Sequence, residues 1–333
     1  MKMADVAKRA NVSTATVSRV LSGSSLVTKE TTTRVQEVVA KLGYVPDTTA
    51  RMLSMGRSRL FGIVVSDIRN PFYPDLLLRF NELAEQHQYR AIFANADYSA
   101  ARLESSLYGM IEQNVEGIAV MTPDTNPDLT KMFSDRGSPM VILNESITRK
   151  DLSSVIVDYK SGISEAIDHL LALGHTQFAY IGGPDNPTFT TCRQTMIMQS
   201  LFEKGILNNT CVTAGNHRID GGYSAMRRIL QNHAHITALL TCDDLTAIGA
   251  IGAIREAGLN VPDDISVVGY EDIAISASFN PPLTTVSVSR FDIATRAFYS
   301  LYSASNQLDA SCRQHQVCTH LIIRKTTAPP PMR

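Results

Sequence analysis

The 333-residue chain predicts two unlike folds in series: an all-α headpiece over residues 1–45 and an α/β body of two doubly wound lobes over 60–333, joined by a hinge over 46–59. Three observations predict this. Residues 1–60 hold ten Lys/Arg against four Asp/Glu, a net of +6, while the remainder holds 21 against 28, so the overall charge of −1 conceals two oppositely charged parts. Apolar residues of the first 45 positions recur at helical spacing in three short segments. From Leu60 onward, β-branched runs alternate with helical stretches, as in βαβ units.

Composition excludes several classes. With 44% hydrophobic and 19% charged residues the chain is globular, not disordered. No apolar run approaches the ~18 residues of a membrane span. Lys2, Asp5, Lys8 and Arg9 stand where a signal peptide carries an apolar stretch, so a cytoplasmic protein without a membrane partner is expected. The five cysteines (Cys192, Cys211, Cys242, Cys312, Cys318) are odd in number and form no CxxC pair. That pattern indicates neither a disulfide framework nor a zinc cage, and buried or incidental thiols are expected, with no metal or cofactor.

In the headpiece, Asp5 to Ala10 reads as a short helix and Asn11-Val12-Ser13 as a turn ending in an N-cap. A second helix begins at Thr14 and runs to Ser22. Two helices meeting across three residues need a small residue at the crossing, a residue tolerant of left-handed backbone in the turn and an apolar anchor in the second helix; Ala7, Asn11 and Val17 sit at these places. Val17, Val20 and Leu21 bury one stripe, leaving Thr14, Ala15, Ser18, Arg19 and Ser22 on the outer side. A third helix spans Lys29 to Leu42, capped by Thr28 and ended by Gly43. On pattern alone, a helix-turn-helix competes with an ordinary three-helix bundle that has a solvated polar face.

The hinge, Pro46 to Met55 before Gly56, has helix start and stop signals but is shorter than the ~12 to 15 residues an isolated helix needs. Alone it should be mostly unfolded, and a plain interdomain linker is its simpler reading. In the body, strands are expected at Phe61–Ser66, Ala91–Asn95, Gly117–Met121, Met140–Leu143, Val155–Asp158, Phe178–Gly182, Ala238–Cys242, Ser266–Tyr270 and Thr284–Ser289. In open α/β sheets ligands bind beyond the carboxyl ends of strands, so the loops after these runs are where a site should lie.

Several segments together carry a resemblance. Asp5-Val6-Ala7, Val12 to Leu21, Gly43-Tyr44-Val45-Pro46 and Ala50-Arg51-Met52-Leu53 resemble the DNA-binding headpiece and hinge of the lactose/galactose repressor family of bacterial transcription factors. Asn70-Pro71-Phe72-Tyr73, Val157-Asp158, Gly174-His175, Gly182-Gly183-Pro184, Val261 to Tyr270 and Pro281 to Thr285 extend it over nearly the whole chain. The resemblance implies a periplasmic-binding-protein-like effector domain with a ligand cleft between its lobes, the first lobe being about 60–158 plus 290–320 and the second about 159–289 plus 321–333.

It further implies a homodimer on double-stranded DNA with a palindromic operator. Thr14, Ala15 and Arg19 would face base edges, the guanidinium bidentate to guanine. Ser13, Thr16, Ser18, Ser22 and Thr28 match phosphate-contacting positions. Hinge helices, with Ala50 and Arg51, would pair in the minor groove, where Leu53 wedges between base steps. Lys2 departs from the usual Thr or Ser cap of the first helix.

Arg193, Asp243 and Asp244 are the leading effector-site residues that the resemblance implies, followed by Phe72, Asn144, His217 and Glu271. Carboxylates and a forked guanidinium suit hydroxyl-rich ligands. His217 stands where relatives often place an aromatic platform, Glu271 replaces an Asp, and Val288 replaces a frequent Gln. The effector implied is a sugar or related hydroxylated metabolite, with a nucleoside or purine, as inducer or corepressor, the alternative. HExxH, GxSxG, GxxxxGK[ST] and GxGxxG are all missing, so no catalytic residue is assigned. A sugar-modifying enzyme with a DNA module is the remote alternative, and a transport-type binding protein conflicts with the basic headpiece.

Overall fold

The computed structural model describes residues 2–21, 26–44, 56–122, 136–143, 152–184, 192–233, 235–308 and 314–332. The chain separates into two compact units, Met1–Ser58 and Arg59–Arg333. In the first, α1 (Met3–Ala10), α2 (Thr14–Leu21) and α3 (Lys29–Leu42) enclose a core of Val6, Ala7, Ala10, Val17, Val20, Val35 and Tyr44. Asn11 takes up the left-handed backbone between α1 and α2 at φ 54°, and Gly43 ends α3 at φ 58°. The first helix starts two residues earlier than the sequence suggests. Lys2 offers no side-chain cap, but the Asp5 carboxylate accepts the Lys2 backbone N–H at 2.8 Å, satisfying an otherwise orphaned donor from within the helix.

The second unit comprises β1 (Leu60–Val65), α4 (Phe72–Gln86), β2 (Arg90–Asn95), α5 (Ala100–Glu112), β3 (Gly117–Met121), β4 (Met140–Leu143) and β5 (Leu152–Asp158), followed by α6 (Tyr159–Ala172), β6 (Phe178–Gly182) and α7 (Cys192–Glu203). It continues through β7 (Thr210–Ala214), α8 (Ile219–Asn232), β8 (Ala238–Thr241), α9 (Asp244–Glu256), β9 (Ser266–Glu271), α10 (Ala274–Ser278), β10 (Thr284–Val288), α11 (Arg290–Ser305) and β11 (Gln314–Ile322). The strand order is β2-β1-β3-β4-β5-β11-β10-β9-β8-β6-β7. Each half thus repeats the doubly wound order 2-1-3-4-5, and β11 joins them. Residues Gln314 to Cys318 pair in parallel with β5, and Thr319 to Ile322 pair antiparallel with β10. One strand is therefore common to both halves, and its partner changes between Cys318 and Thr319.

Two strands go beyond the sequence reading. In β7 no residue is fully buried and Val212 faces outward, as at a sheet edge, so no apolar alternation marks it. The other, β11, alternates buried Val317 and Thr319 with polar neighbours, which conceals its hydrophobic face. The tail also has a place: Val267 N–H donates to the Thr326 carbonyl at 2.7 Å, and buried His175 bonds Thr237 Oγ1 at 2.9 Å and the Ala328 carbonyl at 2.9 Å.

The helices α8 and α9 touch backbone to backbone. A β-carbon at Gly249 would overlap the carbonyl oxygen of Ile219, and one at Gly222 would overlap that of Thr246. Gly249→Ala must therefore push the helices apart and is expected to cost roughly 1 to 3 kcal/mol. Urea unfolding checks this; an unchanged midpoint would mean the helices part freely.

Candidate ligand cleft and nucleic-acid interface

On the headpiece, the side of α2 away from the core carries Thr14, Ala15 and Arg19, all exposed, with Thr16 and Ser18 half-buried beside them. Ser13 is the cap of this helix: its Oγ accepts the Thr16 N–H at 3.1 Å. Thr28 likewise accepts the Thr31 N–H at 3.4 Å at the start of α3. Both hydroxyls therefore sit at helix N-termini, where backbone donors and the dipole favour an anion such as a phosphate. Ser22 lies outside the described residues, as do Ala50, Arg51 and Leu53 of the hinge and Asn144 of the body.

In the body, the loops at the carboxyl ends of β1, β2, β6, β7, β8 and β9 converge, as the strand-end rule requires. Arg193 enters from α7. Its Nη1 lies 3.5 Å from Glu271 Oε1 and its guanidinium sits 4.8 Å from the centre of the Tyr270 ring. Burial disfavours the Arg193 charge, but Glu271 together with Tyr159, Cys242 and Tyr270 outweighs it and raises the guanidinium above its ordinary range. Glu271 closes β9 at φ 103°, followed by Asp272 at φ 55°. Two successive non-glycine residues with positive φ mark stored backbone strain of the kind found at ligand sites. Burial raises the Glu271 carboxyl above its ordinary range. Its Oε2 accepts the Asn70 amide at 2.8 Å, from the loop after β1 in the opposite half, and Asn70 Oδ1 accepts the Phe72 N–H at 3.0 Å. Phe72 itself is buried edge-on against Tyr73.

A second charged pair lies alongside. Asp243 caps α9 by accepting the Thr246 N–H at 2.7 Å through Oδ1, while Oδ2 lies 2.7 Å from His217 Nδ1. Burial pushes the Asp243 carboxyl up, but the His217 hydrogen bond and charge prevail and hold it low. The His217 ring has room because Gly183 lacks a β-carbon, which would overlap Nε2. This is the physical reason for the second glycine of Gly182-Gly183-Pro184. His217 stacks on Tyr98 of the opposite half at 4.9 Å and 14°. Like Glu271, Tyr98 and its neighbour Asp97 adopt positive φ, 51° and 49°. Buried Tyr73, Tyr180 and Tyr270 and half-buried Tyr98 complete the lining.

Five of the sequence-chosen residues, Phe72, Arg193, His217, Asp243 and Glu271, thus converge. Asp244 is placed differently. Its Oδ2 accepts Ile273 N–H at 2.9 Å and Ser276 Oγ at 2.7 Å, and its Oδ1 accepts Thr285 Oγ1 at 2.5 Å, so the carboxylate fastens α9 to β9, α10 and β10 instead of facing a ligand. Burial lifts its pKa from 3.8 to about 7 against those three donors. Residue reasoning missed the ion network at the cleft mouth. Asp67 accepts Arg69 Nε at 2.7 Å, Asp97 accepts Arg102 at 2.8 Å and also meets Arg69, and Arg218 of the opposite half approaches Asp67 and Asp97 at 3.5 Å each. Burial raises the Asp67 carboxyl, but the Arg69 hydrogen bonds overcome this and hold it low.

A three-helix module with a polar, basic reading face, joined to a body with a cleft between two doubly wound halves, defines a ligand-responsive DNA-binding regulator. Residues 2–47 match the model for bacterial regulatory proteins of the lacI family, and residues 167–327 match the periplasmic binding protein-like domain. The chain is 30% identical over 324 residues to the HTH-type transcriptional repressor PurR of Histophilus somni (strain 129Pt), covering 97% of each chain. It is 28% identical over 314 residues to catabolite control protein A of Priestia megaterium, covering 93% of this chain and 95% of the relative. Among solved structures, the lac repressor dimer bound to operator and the anti-inducer ONPF superposes with a TM-score of 0.86 at 27% identity, covering 98% of this chain and 99% of that one. The chain belongs to the lacI family of bacterial regulatory proteins. No helix among the described residues is long and apolar enough to cross a membrane.

Proposed function

We propose that the protein is a homodimeric transcriptional repressor that binds a palindromic operator and releases or grips it according to a small hydroxylated metabolite, a sugar in the first reading, held between the two halves of the body. The observation that carries this is the convergence of the Arg193–Glu271 and His217–Asp243 pairs in one buried cleft whose walls come from both halves. Forked guanidinium and carboxylate groups each engage two neighbouring hydroxyls of a polyol. Because Asn70 and Tyr98 cross from one half to residues of the other, a ligand that enters among them alters how the halves close. Its effect on operator affinity must be reciprocated by the operator's effect on ligand affinity. The Tyr98–His217 stack favours a second reading, a nucleoside or purine, because a planar base fits beside or in place of a stacked ring.

Thermal-shift screening of sugars, sugar phosphates, nucleosides and purines tests the effector class, since a ligand at about 100 times its Kd adds ~2.7 kcal/mol. A sugar hit supports the first reading, a base hit the second, and stabilisation by neither class counts against both. Arg19→Ala is expected to weaken operator binding by roughly 1 to 3 kcal/mol and relax preference at one base pair. Fluorescence anisotropy on single-base operator variants checks it, and an unchanged preference would remove Arg19 from the reading surface.

A further inference from the structure

We propose that His217, Cys242 and Asp243 form a binding site for a divalent transition-metal ion of the zinc class in the wall of the cleft. The three residues come together from the loop after β7 and the link between β8 and α9, and all are buried, at 5%, 2% and 0% exposure. One donor atom from each lies within 4.8 Å of the others. Cys242 Sγ is 3.5 Å from His217 Nδ1 and 3.3 Å from Asp243 Oδ2, and those two are 2.7 Å apart. Zinc bonds of roughly 2.0–2.2 Å to nitrogen and oxygen and about 2.3 Å to sulfur set neighbouring tetrahedral ligands about 3.3 to 3.6 Å apart. Two edges of the triangle already have that length. The third must open by about 0.6 Å as the metal displaces the proton shared by His217 and Asp243.

The chemistry of the set selects the ion. Imidazole, thiolate and carboxylate suit zinc and its neighbours, whereas magnesium and calcium take oxygen ligands. A cation here faces the amino end of α9 and the nearby Arg193, both unfavourable. Burial beside Asp243 holds the Cys242 thiol well above its ordinary range, so the ion itself must draw off that proton to gain a second anionic ligand beside the Asp243 carboxylate. Binding releases to solvent the thiol proton and the proton held between His217 Nδ1 and Asp243, and leaves the imidazole protonated at Nε2 alone. The ligands are already oriented: the Thr246 N–H fixes Asp243 at 2.7 Å, and Tyr98 and Gly183 flank the His217 ring. Three protein ligands leave a coordination position for water or for a ligand hydroxyl. Thr246 Oγ1, 3.5 Å from Sγ, is a further oxygen at hand.

The test is a Co2+ titration of the full chain, reduced and free of DNA and sugar, so its outcome is separate from the effector and operator readings. The expected result is one equivalent of tightly bound Co2+ with a thiolate-to-cobalt charge-transfer band, displaced by Zn2+. Cys242→Ser should lose the band and weaken Zn2+ binding about tenfold or more, the least that loss of even a supporting group costs. The paired variant Cys211→Ser with Cys318→Ser should keep the band. Wild-type protein without a stoichiometric thiolate band overturns the proposal whatever the variants do, as does a band that survives Cys242→Ser or disappears with Cys211 and Cys318.

Discussion

Arg193→Ala is expected to abolish the response to effector while leaving operator affinity in the absence of effector unchanged. The side chain is held between Glu271 and the face of Tyr270, in a cleft where water competes poorly. Truncating one member of a buried charge pair typically costs 2 to 5 kcal/mol in binding. That is a loss of about 30-fold to several thousandfold in effector affinity. Part of the loss falls on Glu271, left with the Asn70 amide as its hydrogen-bond partner, so the carboxyl would take up a proton or move. Arg193→Lys keeps the charge but not the fork, and should recover little of the affinity. Calorimetry with the ligand from the thermal-shift screen, together with operator anisotropy, measures both quantities. Retained effector response would locate the pocket elsewhere; lost operator binding without effector would give Arg193 a structural role.

The largest stability effect is expected at Asp244. Asp244→Ala leaves the Ile273 N–H and the Ser276 and Thr285 hydroxyls without their acceptor in a fully buried position. At roughly 1 to 3 kcal/mol for each orphaned group, with partial rearrangement of the hydroxyls, the loss should come to about 3 kcal/mol. The pH dependence has a definite sign. Burial raises the folded-state pKa of Asp244 from the ordinary 3.8 to about 7, so the folded chain holds a proton that the unfolded chain has already released. The stabilisation this proton brings is complete below the unfolded pKa and is lost as pH rises through the folded one. Relative to Asp244→Asn, which cannot titrate, the wild type should therefore lose stability between pH 4 and 7. Urea unfolding of both proteins across that window decides it; a wild-type advantage that grows with pH would mean that the three donors prevail over burial.

What the sequence made legible follows from local physics. The headpiece helices could be read because small-residue crossings, caps and the left-handed Asn11 and Gly43 are encoded within a few residues of where they act. Most of the strands were legible for a similar reason, as β-branched runs between turn signals. The edge strand β7 and the shared strand β11 were not, since neither presents a continuous apolar face. In the cleft, Arg193, His217, Asp243 and Glu271 stood out through resemblance. What they touch did not, because Asn70 meets Glu271 across 201 residues and Arg218 meets Asp97 across 121. Asp244 illustrates the other limit. The resemblance implied it, with Asp243, as an effector-site residue, yet one residue further along the turn into α9 the side chain is directed into the packed interior.

Operator recognition by a symmetric pair of headpieces is decided by selecting binding sites from a random duplex library with the full chain at low salt. Enrichment of an inverted repeat with two half-sites is expected, bound far more tightly than a scrambled duplex and with affinity that falls linearly in log salt as phosphate counterions are released. Recovery of no repeat, or equal affinity for selected and scrambled duplexes, would contradict it.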